Sequence, residues 1–126
     1  LLIEGIRRRV FESPAHKVYI ANIMTQPGET DDMGLVDHLD ALERHAGDPI
    51  IDQVLAHDGS IPDDLLASYS RQGSIPVVYE GGLEHREIRV SVADLIDRGA
   101  TSARHHSEIL GQMICDLALA GVGKTV

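Results

Sequence analysis

Apolar residues in the first part of the chain change from helical spacing to a continuous run. Ile3, Ile6 and Val10 recur at intervals of three and four, which places them on one side of a helix before a Ser-Pro pair ends the pattern. Residues 17–23 (KVYIANI) are β-branched and apolar nearly throughout, which is typical of a parallel strand covered on both faces. We therefore expect a helix over residues 3–12 that leads into a central strand.

The middle of the chain repeats this alternation of helix and strand. One apolar stripe runs through residues 35–46 and ends at Gly47, where a left-handed C-cap is expected. Residues 50–57 form the next apolar run and predict a strand. Ser60, followed by a proline and an acidic residue, is expected to cap a third helix that ends near Gly73.

The last part of the chain predicts two further strands and a closing helix. Residues 76–79 (PVVY) indicate another buried strand, whereas residues 87–92 alternate polar with apolar, as in a strand with one face in water. We expect the latter at the edge of the sheet and antiparallel to its neighbour. A final stripe predicts a helix over residues 107–120, closed by Gly121. The element order indicates a three-layer α/β fold around a mostly parallel sheet.

Composition and charge narrow the possible classes of function. With 126 residues, 43% of them apolar, the chain can bury one core, and its opening with Leu1 rather than Met favours a piece of a domain. The formal charge of −9 disfavours a nucleic acid partner. The sequence lacks the apolar stretches of a membrane helix or a signal peptide, so we expect a cytoplasmic protein with no membrane insertion. Cys115, the single cysteine, is expected to be a buried thiol.

The segment after the first strand has the densest set of polar side chains. In open α/β sheets, ligands lie beyond the carboxyl ends of the strands, which are expected near Ile23, His57 and Tyr79. Residues 22–32 (NIMTQPGETDD) place amide, hydroxyl and carboxylate groups around a Pro-Gly turn. Such a loop could bind sugar hydroxyls, hold a divalent cation through its carboxylates, or only cap the following helix.

Two motifs match a known family. The stretch NIMTQPGETD with the following DHLDALERHAG, and ARHH at residues 103–106, resemble the gluconeogenesis-factor (YvcK-like) family, whose relatives are the CofD-like 2-phospho-L-lactate transferases. The resemblance covers nearly the whole chain. It implies a Rossmann-like fold whose glycine-rich nucleotide loop lies in an N-terminal half that is absent here. Residues 1–126 would then be the C-terminal part of a single CofD-like α/β domain.

The resemblance also implies a function. Members of the family bind UDP-sugars such as UDP-N-acetylglucosamine and take part in the control of carbon metabolism, cell-wall synthesis and cell shape. This implies a regulatory protein that binds a nucleotide-sugar and does not convert it. We expect it to be a homo-oligomer, and we expect neither catalytic residues nor a defined cofactor. The alternative is a transferase acting on a phosphate-linked carboxylic acid, in which Glu29, Asp31 or Asp32 would hold Mg²⁺.

The residues of the binding pocket are implied in the same way. A tyrosine of the third helix and an arginine before the last helix, here Tyr69 and Arg104, would contact the nucleotide-sugar. An arginine fork beside a helix N-terminus suits a diphosphate. Tyr69 also fits an apolar helix face with Leu65 and Leu66, and core packing is an equal alternative. The expected ligand-binding residues are Asn22, Thr25, Gln26, Gly28, Glu29, Thr30, Asp31, Tyr69, Arg104 and His105.

Other patterns do not add up to a site. His38 and His45 share a helical face, but no HExxH motif or third ligand accompanies them, so no metal site is expected. Residues 121–125 (GVGKT) are similar to the end of a phosphate-binding P-loop. They follow a helix rather than a strand, however, and Ala118 stands where the first glycine is required.

Overall fold

Three parallel strands form the centre of the protein. The computed structural model describes residues 3–122, and within them the chain forms three strands and four helices. The strands are β1 (Val18–Ile20), β2 (Gln53–His57) and β3 (Arg89–Ala93), and the helices are α1 (Glu4–Glu12), α2 (Leu35–Ala46), α3 (Asp63–Arg71) and α4 (Ser107–Val122). The predicted α/β fold is confirmed.

The strands pair in the order β1-β2-β3, and both pairs are parallel. Val54 of β2 lies between Tyr19 and Val90, and every residue of β2 is buried. The prediction of an antiparallel edge strand is therefore wrong, because β3 lies at the edge but runs in the direction of β2. Alternation over residues 87–92 indicates which face meets water, but the alternation is the same for either strand direction.

The prediction of a strand over residues 76–79 is also wrong. The segment is covered, since Val77 is 1% exposed, but it pairs with the loop after β1 rather than with the sheet. The N–H of Val77 donates to the carbonyl of Ile23 at 2.9 Å, and Met24 and Pro76 form an isolated antiparallel bridge. An apolar run thus indicates that a segment is buried and does not by itself place it in a sheet.

Two apolar clusters hold the elements together. The first joins α2 to the sheet and includes the buried residues Ala21, Leu35, Leu39, Val54, Ala56, Val77 and Leu83. The second has Ile23, Met24, Leu65 and Ile96 at its centre, with Ile61, Tyr69 and Ala103 packed against it. Full burial of one such aliphatic side chain contributes about 1.5–3 kcal/mol. The second cluster joins three segments that contain predicted ligand-binding residues. They are the loop after β1, helix α3 and the segment before α4.

The ends of α2 agree with the sequence. The helix spans the predicted residues 35–46, and Gly47 follows it with a φ of 82°, as expected of a left-handed C-cap. At the other end, the backbone N–H of Gly34 donates to Asp37 Oδ2 at 2.8 Å. This bond satisfies a donor before the first turn and places a negative charge at the positive end of the helix.

The start of α3 differs from the prediction. The helix begins at Asp63, and the residue in the N-cap position is Pro62 rather than Ser60. The Ser60 hydroxyl instead donates to Asp58 Oδ1 at 2.7 Å. A serine in a turn can bind a preceding aspartate or cap a following helix, and here the aspartate two residues earlier takes the hydroxyl.

The last helix is longer and more exposed than predicted. It continues through Val122, so Gly121 does not end it. Cys115 is exposed rather than buried, and α4 carries other exposed apolar side chains, among them Leu119 at 71%. Residues 123–126, with most of the GVGKT motif, lie outside the described residues. Within the described range, no helix combines the length and apolarity needed to cross a membrane.

Candidate ligand-binding site

Two loops meet at the carboxyl edge of the sheet. The signature loop (residues 22–32) follows β1, and the arginine loop (residues 102–106) leads into α4. His105 Nε2 lies 3.0 Å from the backbone oxygen of Ala21, and this hydrogen bond joins the arginine loop to the start of the signature loop. Because parallel strands place their carboxyl ends at one edge, a ligand bound there could contact both loops.

Thr25 fixes the base of the signature loop from the inside. Its side chain is buried, and its Oγ1 accepts the N–H of Ile75 at 3.0 Å. Its own N–H donates to the carbonyl of Ile75 at 2.8 Å, and its carbonyl accepts the hydroxyl of Ser74. Thr25 is one of the predicted ligand-binding residues, and the structure places its polar atoms against Ser74 and Ile75.

The tip of the loop is shaped by two more of its polar side chains. Thr30 Oγ1 accepts the N–H of Gln26 at 2.7 Å, and Asp31 Oδ2 accepts the N–H of Gly28 at 2.8 Å. Gly28 has a φ of 81°, a conformation that favours glycine. Thr30, Asp31 and Gly28 therefore give the loop its shape, although one oxygen of the Asp31 carboxylate makes no hydrogen bond with the described residues.

The remaining polar side chains of the loop face solvent. Asn22, Gln26 and Glu29 are exposed, and their side chains make no hydrogen bond within residues 3–122. The turn held by Thr30 and Asp31 sets the position of Gln26 and Glu29. These three side chains, the exposed carboxylate of Asp32 and the second oxygen of Asp31 are the groups that the signature loop can offer to a ligand.

The arginine loop is held through its backbone. The N–H of Asp97 donates to the carbonyl of Arg104 at 2.9 Å, the N–H of His106 donates to that of Leu95 at 2.7 Å, and Ile96 and His105 form an isolated bridge. The Arg104 side chain is exposed. Among the described residues its guanidinium reaches only Ser102 Oγ, at 3.3 and 3.4 Å. A fixed backbone thus presents a guanidinium without a carboxylate partner in the described part of the chain.

Tyr69 links α3 to the arginine loop. Its ring packs against the cluster that contains Leu65 and Ile96, as the core-packing alternative expects. Its hydroxyl oxygen accepts the N–H of Ala103 at 3.1 Å, next to Arg104 in the chain. The structure therefore brings Tyr69, Arg104 and His105 to one end of the sheet, beside the start of the signature loop.

A second polar group at the same edge was missed at the level of sequence. His57, at the end of β2, is fully buried between the loops that follow β2 and β3. Its Nδ1 accepts the N–H of Leu95 at 3.0 Å, and its Nε2 donates to the carbonyl of Ser60 at 2.9 Å. A histidine at the end of a strand that is otherwise apolar is the sequence pattern that could have indicated a buried polar side chain here, although not its partners.

Charged residues surround His57. The carboxylates of Asp58 and Asp94 lie 3.5 and 3.8 Å from its ring nitrogens, and Arg98 donates to Asp94 Oδ2 and Ser60 Oγ, both at 2.8 Å. The hydroxyl and the backbone N–H of Ser60 hold the pKa of the Asp58 carboxyl below its ordinary value. These contacts connect the segments after β2 and β3.

The structure also bears on metal binding. Among the described residues, the one group of three potential metal ligands close enough to share an ion is His57, Asp58 and Asp94. Both ring nitrogens of His57 are already engaged with backbone groups, so the imidazole has no lone pair free for a metal. The carboxylates of Glu29, Asp31 and Asp32 are not brought together as a comparable set.

Two cavities lie away from these loops. One of about 480 Å³ is lined by Phe11, Lys17, Glu43 and Arg86 at the amino edge of the sheet. The other, of about 570 Å³, lies between the C-terminal part of α4 and the sheet residues Val18, Gln53 and Arg89. Neither contains a residue that the sequence predicted to bind ligand.

A parallel α/β sheet with polar loops at its carboxyl edge places the chain in the open-sheet α/β class, whose members bind ligands at that edge. Sequence comparison gives the particular group within that class. The chain belongs to the CofD family, since the family described as 2-phospho-L-lactate transferase CofD matches residues 1–96.

Curated relatives and solved structures agree with this membership. The chain is 39% identical over 97 residues to the gluconeogenesis factor of Halalkalibacterium halodurans and 33% identical over 118 residues to that of Bacillus subtilis. These alignments cover 77% and 93% of this chain but 29% and 37% of the relatives. The chain therefore spans about a third of their length.

The fold is similar to crystal structures of a Bacillus halodurans protein. One of them matches 91% of this chain and 37% of its own, with a TM-score of 0.84 and 34% identity. Another, described as a member of the UPF0052 family, matches 88% of this chain and 36% of its own, with a TM-score of 0.80 and 34% identity.

Proposed function

We propose that the intact protein binds a nucleotide-sugar of the UDP-N-acetylglucosamine type and acts as a regulator of carbon metabolism, cell-wall synthesis and cell shape. The name gluconeogenesis factor, borne by the relatives in Halalkalibacterium halodurans and Bacillus subtilis, supports the link to carbon metabolism. The observation that carries the ligand assignment is the exposed Arg104 guanidinium on a backbone-clamped loop, joined through His105 to the signature loop.

The chemistry of the arginine loop favours a diphosphate. A guanidinium offers planar, charge-assisted donors that match phosphate oxygens, and α4 begins at Ser107, so the positive end of a helix lies three residues beyond Arg104. The chain has a net charge of −9, and a guanidinium beside a helix N-terminus can still attract an anion locally. The exposed amides of Asn22 and Gln26 could then bind sugar hydroxyls.

Calorimetric titration of the intact protein with UDP-N-acetylglucosamine tests the proposal. We expect binding that does not depend on Mg²⁺ and that weakens at least about tenfold in Arg104→Ala, because a charge-assisted contact contributes about 1.5–3 kcal/mol. The matched control is Arg44→Ala, which removes an exposed arginine from the end of α2, at the opposite edge of the sheet.

Each other outcome has a definite meaning. No binding by the wild type would overturn the ligand assignment. Binding that is unchanged in Arg104→Ala would mean that the ligand lies elsewhere and that this part of the chain only supplies packing and oligomer contacts.

A phosphate-linked transferase activity is the second candidate. It is favoured by the family match over residues 1–96, whose description is that of a 2-phospho-L-lactate transferase. In this alternative, a carboxylate of the signature loop, from Glu29, Asp31 or Asp32, would hold Mg²⁺ against a diphosphate. Product formation that stops when the metal is chelated would favour the transferase over the regulator.

A further inference from the structure

Tyr69 lies between the two loops of the site and contacts both sides through different groups. Its hydroxyl oxygen accepts the N–H of Ala103 in the segment that holds Arg104, at 3.1 Å. Its backbone carbonyl accepts the N–H of Ser74 at 3.0 Å, and the hydroxyl of Ser74 binds the carbonyl of Thr25. One residue of α3 is thus connected to the arginine loop and, through Ser74, to the base of the signature loop.

The Tyr69 side chain is half-buried by packing. It lies against the apolar cluster that includes Leu65 and Ile96, and Ala103 packs against the same cluster. A ring held in this way has a fixed position relative to α3, so its hydroxyl is a fixed acceptor for the arginine loop. The neighbouring backbone bonds, from Asp97 to Arg104 and from His106 to Leu95, hold the loop beyond Ala103, whereas Tyr69 holds it before Arg104.

We infer that Tyr69 is a positioning residue that sets the place of the Arg104 guanidinium relative to the signature loop, rather than a residue that binds the nucleotide-sugar with its ring. The inference rests on the proposed function. It adds a cause for the affinity: the guanidinium that binds the diphosphate is held in place by one hydrogen bond to α3. Loss of the hydroxyl leaves the Ala103 N–H without its partner and frees the loop to move.

The test compares Tyr69→Phe with Tyr79→Phe in the intact protein. Tyr79 is a matched control, because its hydroxyl donates to Glu84 at 3.3 Å at a different turn. We expect Tyr69→Phe to weaken UDP-N-acetylglucosamine binding up to about tenfold, because the ligand must then reorder a loop that has lost one hydrogen bond, and one such bond is worth up to about that factor. In the Arg104→Ala variant, Tyr69→Phe should not lower the affinity further. Tyr79→Phe should leave the affinity unchanged both in the wild type and in Arg104→Ala.

Amide hydrogen exchange of the ligand-free protein supplies a second readout. Tyr69→Phe should speed exchange of the amides of the arginine loop while leaving those of β2 unchanged, which general destabilisation would not do. Two results would overturn the inference: losses of affinity that add in the double variant with loop exchange unchanged, as direct ligand contact predicts, or no effect on either quantity. If the wild type binds no UDP-N-acetylglucosamine, the proposed function fails, and the exchange of the ligand-free protein still decides whether Tyr69 positions the loop.

Discussion

At the scale of single residues, the polar side chains of the signature loop have two different roles. Thr25, Thr30 and Asp31 each accept a backbone N–H, and these bonds set the path of the loop. Gln26 and Glu29 point to solvent from the turn that those bonds create. A substitution in the first set is expected to act on ligand binding through the shape of the loop, and one in the second set through lost contacts.

His38 is a buried residue whose protonation should influence stability. It is 7% exposed, its Nδ1 lies 3.5 Å from Tyr19 Oη, and its Nε2 has no hydrogen-bond partner among the described residues. Burial lowers the pKa of His38 because it disfavours the charged imidazolium, and the negative charge of Asp37 opposes this effect only in part.

We predict that His38→Gln reduces the loss of stability in mild acid. Because the folded pKa lies below the unfolded value of about 6.5, the unfolded chain takes up more protons as the pH falls between the two values. The contribution of neutral His38 is therefore complete above the unfolded pKa and is lost as the pH falls towards the folded one. Urea unfolding at about pH 7.5 and about pH 5.5 should show a smaller difference for His38→Gln than for the wild type.

The control for this measurement is His85→Gln, which removes an exposed histidine. It should retain the decline of the wild type between the two pH values. An equal decline in wild type and His38→Gln would contradict the role assigned to the buried imidazole.

At the scale of elements, helices follow the sequence more closely than strands do. The stripe over residues 35–46 and the glycine after it predict both ends of α2, because a helix is defined by local spacing and local caps. The apolar runs predict where chain is buried, but the strands they contain are shorter, Val18–Ile20 and Gln53–His57. Strand ends and directions depend on a partner strand far away in sequence, which a local pattern does not contain.

The C-cap of α2 gives a prediction at this scale. Gly47→Ala should lower the free energy of unfolding by about 1–2 kcal/mol, the cost of a left-handed conformation in a residue other than glycine. The Cβ would also lie 3.1 Å from Arg7 Nη1, which binds the last carbonyl of the helix.

The matched control is Gly111→Ala on α4, where a Cβ meets open space. This change should raise the free energy of unfolding by roughly 0.5–1 kcal/mol, because alanine favours a helix interior over glycine. Urea unfolding of both variants measures the difference. Destabilisation of similar size in the two variants would show that the left-handed cap at Gly47 is not the cause.

At the scale of the whole molecule, the position of the candidate site follows from the fold class. Polar residues after a buried strand lie at the carboxyl edge of a parallel sheet, so the sequence predicts Asn22 at that edge, whereas the expectation for Arg104 comes from the resemblance to the family. The link from His57 to Leu95 could not be predicted, because it joins residues 38 positions apart whose contact exists only after β2 and β3 pair. The same is true of the bond between Tyr69 and Ala103.

The location of the ligand is the central claim, and a crystal structure of the intact protein with UDP-N-acetylglucosamine tests it most directly. We predict a diphosphate within hydrogen-bonding distance of the Arg104 guanidinium, with the sugar towards the exposed amides of Asn22 and Gln26. A ligand seated instead at the amino edge of the sheet, in the cavity of about 480 Å³ lined by Lys17 and Arg86, would contradict it.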